Sequence, residues 1–312
     1  MAALTYVRSG VLQREAYTDM YDKQMDLYLK REDNLPVQGQ QFYTTEDADN
    51  ISFRVTTTGT LVALPIEADD TEPVPRSSVA PGHVMDFTIP TLQQSIRITD
   101  TLLKLDRSGG RAADMISGLP RAGKRWLEYA FVDPINNGTT TTGADSQFLF
   151  DNDHEHEDPA GGTYSNVETG AALSSTTLSA MYNNMQKRTN ELGQISPITM
   201  QKIVVHVDNR KPALEIARSL QSPEDALNRA NIFKDFGVMI WHHLTNSTAW
   251  FGWGDLPQTM WGLHYMVFTP PTVGKLALPG EDHPHIKAGF WLKIQVAAGG
   301  SLLKNMTRNA GA

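Results

Sequence analysis

Phe148-Leu149-Phe150-Asp151-Asn152-Asp153-His154-Glu155-His156-Glu157-Asp158-Pro159 opens the stretch, ending at Trp253, around which the chain is arranged. Gly161-Gly162-Thr163-Tyr164-Ser165-Asn166 follows, then Leu173-Ser174-Ser175-Thr176-Thr177, whose hydroxyls are candidate helix N-caps. Leu178, Met181, Tyr182 and Met185 recur at i, i+3, i+4 and i+7. That spacing predicts one apolar face of a helix that stops at Gly193, ahead of Pro197. Ile203-Val204-Val205-His206-Val207 reads as a buried strand, Lys211 to Leu220 as a short helix, and Gly237 to His242 as a further strand. Thr245-Asn246-Ser247 turns the chain into the aromatic strand Trp250-Phe251-Gly252-Trp253. Helix, strand, helix, strand, turn and strand in that order make an α/β unit.

The ordered set resembles the major capsid proteins of tailed bacteriophages, with their Hong Kong 97-type fold. The resemblance is carried by Phe150, His154 or His156, Pro159, Gly161, Tyr164 and Asn166, and by the helix that opens at Leu173-Ser174. The hydrophobic strand with its short Ala-containing helix, Asn231, and Trp250-Phe251 complete it. It covers the second half of the chain in residues and the first half in layout. The acidic run 151–158 departs from it, since the family has a shorter, less charged link there.

The resemblance implies a mixed α+β fold with an N-terminal arm (1–50) and an extended β-ribbon loop (51–90). A peripheral domain with a long spine helix (91–165), an axial α/β domain (166–280), and a return strand with a C-terminal tail (281–312) follow. It further implies a structural subunit that self-assembles, through hexamers and pentamers, into an icosahedral head around double-stranded DNA. Portal and scaffold or decoration proteins are the implied partners, the virion its location, and the host cytoplasm the place of assembly. A nanocompartment shell of the encapsulin type is the alternative within the same fold.

The composition agrees with a structural role. The 312 residues carry a net charge of −8, which disfavours a sequence-independent nucleic-acid binder, and there is no cysteine for disulfides, thiolate metal sites or a thiol nucleophile. No apolar run approaches the ~20 residues of a membrane span, and the first residues lack a signal-peptide pattern.

Toward the N-terminus, Tyr17, Tyr21, Tyr28 and Tyr43 stud a polar segment broken at Leu35-Pro36 and Gly39. Exposed tyrosines on an extension suit contacts between subunits, and Tyr17, Tyr21 and Tyr28 are candidates. Ile51, Phe53 and Val55 alternate with polar residues, as do Met85, Phe87 and Ile89, which predicts the two strands of a ribbon. Its tip carries Glu67, Asp69, Asp70 and Glu72 with Arg76, a charge set suited to a neighbouring subunit. Arg107, Arg111, Arg121, Lys124 and Arg125 are the candidate receptors on that neighbour. Residues 91–132 read as mostly helical, with Ile96, Ile98, Leu102, Leu103 and Leu105 apolar, interruptions at Ser108-Gly109-Gly110 and Gly118-Leu119-Pro120, and Pro120 at the first turn of a last helix. A strand from Trp261 to Phe268, a Pro270-Pro271 turn, a strand from Ile286 to Ala297, and a frayed tail from Met306 complete the expectation.

Three constellations offer chemistry. Gly118-Leu119-Pro120-Arg121-Ala122-Gly123-Lys124 has the spacing of a phosphate loop, but Arg125 stands where a Ser or Thr would ligate magnesium, and no buried strand leads into it. Asp151, Asp153, His154, Glu155, His156, Glu157 and Asp158 hold metal-ligand types without calcium-loop or zinc spacing, and read as a solvated acidic loop rather than the site of a metal-dependent hydrolase. His242-His243 beside Trp241, Trp250, Trp253 and Trp261 reads as core or interface, since neighbours on a strand face opposite ways. No catalytic residue, metal or cofactor is assigned.

Overall fold

The computed structural model describes residues 37–59, 81–105, 110–158, 161–222, 230–254, 262–276 and 286–312. Tyr17, Tyr21, Tyr28, the ribbon tip with Glu67, Asp69, Asp70, Glu72 and Arg76, and Arg107 lie outside the described residues.

The ribbon follows from its alternation. Strand β2 (Ser52–Thr58) pairs antiparallel with β3 (Pro81–Thr88), in register Phe53↔Phe87 and Val55↔Met85. Val55 and Phe87 turn inward and pack with Ala48, Ile89 and Met266, while Arg54 donates two hydrogen bonds to Asp86 (2.7 and 2.8 Å) on the outer face. The base of the ribbon therefore rests on its own subunit.

Residues Thr91–Thr99 form β4, not the helix that their leucines and isoleucines suggest. Ile96 and Ile98 are two residues apart, which places both on one face of a strand, and β4 is held along its length by β12 (Ile286–Gly300). A short helix α1 (Asp100–Leu105) follows, and then α2 (Gly110–Asn136), 27 residues long. Gly118-Leu119-Pro120 does not interrupt α2, and Pro120 lies in its interior rather than at a first turn. Ile116, Leu119, Phe131 and Ile135 are buried along it. Gly123 lets it approach the sheet closely, since a Cβ there would stand 2.9 Å from Leu292.

That sheet runs β1-β11-β12-β4, with β1 (Tyr43–Asp47) parallel to β11 (Leu263–Lys275) and the other pairs antiparallel. Pro270-Pro271 does not turn the chain: β11 continues through it, and its register against β12 slips between Val267 and Thr272. Prolines lack the ladder donor, so an irregular register is the form in which a strand tolerates them.

The second sheet runs β7-β13-β10-β8-β9. Its strands are β7 (Val167–Glu168), β13 (Met306–Asn309), β10 (Trp250–Gly254), β8 (Met200–Val205) and β9 (Gly237–Ile240). Val204, Met239 and Phe251 share a core with α2 and the first sheet. Ile203, Val205 and Trp250 face the other way, under α3 (Ser175–Gln186) and α4 (Arg210–Arg218). Helix α3 starts in a capping box of Ser174 and Thr177, buries Leu178, Met181 and Met185 as expected, and stops at Gln186, one turn before Thr189 bridges Ile195 in a hairpin that holds Gly193 at φ +71.

Met306–Asn309 is no frayed tail. It is an interior strand between β7 and β10, with Met306 and Thr307 fully buried, and Asn309 ties Ala171 and Thr169 to it.

Candidate functional site

Where the two sheets meet, the acidic run folds inward. Strand β5 (His154–Glu155) pairs with β6 (Thr163–Tyr164), and its extended backbone sends alternate side chains to opposite sides. His154 and His156 point in with Glu157, at 0%, 2% and 2% exposure, while Asp153 and Glu155 face solvent. The expectation of a solvated loop is therefore corrected: its charges find partners that lie far away in sequence.

His154 Nδ1 meets the buried Asp145 carboxylate at 2.6 Å, and its ring stacks on Tyr164 at 5.1 Å. Lys304 donates to both oxygens of Glu157 at 2.7 Å and lies 5.4 Å from the centre of the Tyr164 ring. Arg188 donates to the Lys304 carbonyl, to the Ser165 carbonyl (3.1 Å) and to Thr307 Oγ1 (2.7 Å). Glu191 closes the pocket beside His156 and Glu157.

Burial sets the titration of this cluster. It holds the Tyr164 phenol well above its ordinary range and pulls the Lys304 ammonium down, against the opposing pull of Glu157. It lowers His156 too, helped by the positive charge of Lys304. Asn166 staples the junction, donating to the carbonyls of Leu149 (2.7 Å) and Leu303 (3.2 Å) and accepting from the Asp151 amide (2.9 Å). The ribbon joins as well, because His83 Nε2 lies 3.1 Å from the His156 carbonyl oxygen.

The remaining sequence candidates separate. Arg111, Arg121 and Arg125 are exposed on α2, and Lys124 is half-buried there. The phosphate-loop spacing falls inside α2, where the backbone amides serve the helix ladder. His242-His243 follows β9 in a turn, His242 against Gln38 and the His243 ring 5.0 Å from Tyr129, so the pair forms no site. Trp241 and Trp250 are core. Asp145, Arg188, Glu191 and Lys304 carry no signal in the sequence, where Asp145, Glu191 and Lys304 are lone charges and Arg188 follows Lys187 at the end of a helix.

One further set has the connectivity of a hydrolytic triad: Ser301 Oγ lies 2.9 Å from His264 Nε2, whose Nδ1 lies 2.8 Å from Glu46. Ser301 and His264 are fully buried, so no substrate reaches the hydroxyl. The set ties β1 and β11 to the turn after β12.

A two-stranded ribbon, a long helix laid across a mostly antiparallel sheet, and a second α/β sheet with a buried polar junction define a structural subunit of the Hong Kong 97 type. The profile of the phage capsid protein family matches residues 84–272, and the chain belongs to that family. No curated protein matches it in sequence. Among solved structures it is similar to the virus-like particle from Pyrococcus furiosus (11% identity, 93% of this chain and 99% of that one, TM-score 0.54). It is also similar to the capsid of cyanophage P-SCSP1u (9%, 87% and 86%, TM-score 0.54) and to Mycobacterium phage Patience (10%, 98% and 90%, TM-score 0.52). At these identities the likeness is one of fold.

Proposed function

We propose that this phage shell subunit is the major capsid protein of a tailed bacteriophage, closing hexamers and pentamers into an icosahedral head around double-stranded DNA. The observation that carries the reading is the family match, which runs from β3 through α2 and four strands of the five-stranded sheet (β7, β8, β9 and β10) into β11. Its work is assembly rather than catalysis, summing many small contacts over a closed surface. The net charge of −8 suits a wall that must not hold packaged phosphate.

Residues 1–36 act as the arm, shorter than the expected 1–50 because Phe42 and Tyr43 pack into the subunit's own core and β1 joins its sheet. Residues 51–90 act as the ribbon loop, and the four-stranded sheet with α2 forms the peripheral domain. The axial domain starts near residue 166; the pairing of β11 with β12 favours ending it before β11 rather than at 280, and the pairing of β13 with β10 favours counting β13 with it. Tyr17, Tyr21 and Tyr28 contact a neighbouring subunit, and Glu67, Asp69, Asp70 and Glu72 face Arg107, Arg111, Arg121, Lys124 and Arg125 across that boundary, with Arg76 beside them. Portal and scaffold or decoration proteins complete the particle, which is assembled in the host cytoplasm. A second reading, a shell of the encapsulin type that encloses other cargo, shares the same fold, and equal likeness to the virus-like particle from Pyrococcus furiosus and to the cyanophage capsid does not separate the two; the family match favours the phage head.

Light scattering and sedimentation of the purified chain test the proposal. Capsomers or closed particles are expected, and a stable monomer over a wide range of concentration and salt, scaffold included, would overturn it.

A further inference from the structure

The junction pocket holds more ligand atoms than its ion pair uses. His156, Glu157 and Glu191 are all buried, and one ligand atom from each lies within 4.8 Å of the others. The main chain of His156 is engaged, its amide donating to Gly162 and its carbonyl facing His83, yet its Nδ1 is buried with no hydrogen-bond partner. Lys304 donates to both oxygens of Glu157 and feels the charge of Glu191 as well, while Arg188 donates to two carbonyls and a hydroxyl.

We propose that His156, Glu157 and Glu191 form a binding site for a divalent transition cation of the Zn2+ or Mn2+ class. An imidazole nitrogen beside carboxylate oxygens is the donor set such cations take, whereas calcium would ask for oxygen alone. Bonds of about 2.0–2.2 Å put neighbouring ligand atoms roughly 3.5 Å apart, so rotation of the glutamate side chains closes the present 4.8 Å arrangement. Lys304 grips both oxygens of Glu157, and an incoming cation must share or displace it. The ammonium is a built-in competitor, which gives the proposal a signed test.

A bound cation would join segments that the fold only lays side by side. His156 and Glu157 belong to the loop that touches the ribbon through His83, and Glu191 sits in the turn of the hairpin after α3. The loop that touches the ribbon and that hairpin would then be fixed to one another.

The experiment uses the untagged full chain, stripped with EDTA and dialysed, titrated with Zn2+ by calorimetry and with Co2+ by visible absorption. One equivalent per chain is expected, with d–d bands of a nitrogen–oxygen site. Glu191→Gln and His156→Gln should each weaken binding at least tenfold, and Lys304→Gln should strengthen it. Circular dichroism checks folding, and if His156→Gln fails that check, the opposite shifts of Glu191→Gln and Lys304→Gln decide. No saturable uptake by the wild type overturns the proposal. So does uptake that Glu191→Gln leaves unchanged, which would mark an adventitious ion only.

Discussion

Asn166→Ala removes three hydrogen bonds at one point. The Asn166 side chain is fully buried; it donates to the carbonyls of Leu149 and Leu303 and accepts from the amide of Asp151. Alanine leaves all three backbone groups in place without a partner. Each buried group so orphaned costs about 1–3 kcal/mol. Neighbouring losses overlap, so a total of roughly 3–6 kcal/mol is expected, against the ~5–15 kcal/mol by which whole domains are stable. With a urea slope of about 3 kcal/mol/M, the midpoint falls by about 1–2 M. The assay is urea unfolding of the dissociated subunit followed by circular dichroism. Asn166→Asp keeps the acceptor, loses both donors and adds a buried charge, so it should fare no better. A midpoint shift below about 0.3 M for Asn166→Ala, with the slope unchanged, would refute the view that this residue staples the loop to the segment before β13.

Other outcomes follow from particular contacts. Burial raises Tyr43 and Tyr164 well above the ordinary phenol range and Tyr265 to a lesser degree, so the folded state keeps protons that the unfolded chain loses. Stability is therefore full below pH ~10 and falls as pH rises above it, and tyrosinate absorbance of these three should appear only with unfolding; their titration in a chain still folded would contradict this. Gly82→Ala would set a Cβ 2.1 Å from the Thr57 carbonyl oxygen and should lower stability by about 1–3 kcal/mol, read as a drop in Tm, with the ribbon the first region to lose amide protection. Reversing Asp69 and Asp70 to Lys should slow shell closure and make it salt-dependent while the subunit stays folded, since each exposed pair contributes only ~0–1 kcal/mol; unchanged kinetics at low salt would remove the electrostatic part of the ribbon proposal.

What the sequence made legible was local. Phe53, Val55, Met85 and Phe87 alternate, and the ribbon strands lie where the alternation says. Leu178, Met181 and Met185 recur at helical spacing, and the helix buries them. What it hid depends on distant partners. Leu92, Ile96 and Ile98 suit either element, and only pairing with β12 makes them a strand. Met306-Thr307-Arg308-Asn309 is too short and polar to announce a strand, yet β7 and β10 supply hydrogen bonds on both of its sides. The acidic run reads as solvated because its counter-charge, Lys304, lies 147 residues from Glu157. Buried polar groups need partners, but nothing local in a sequence says which ones.

Electron microscopy of the purified, concentrated protein tests the central claim most directly. The account predicts closed icosahedral particles whose density accommodates α2 and the five-stranded sheet in every subunit, with the ribbon reaching onto a neighbour. A field of monomers or of irregular aggregates, under salt and scaffold conditions that permit assembly, would contradict it.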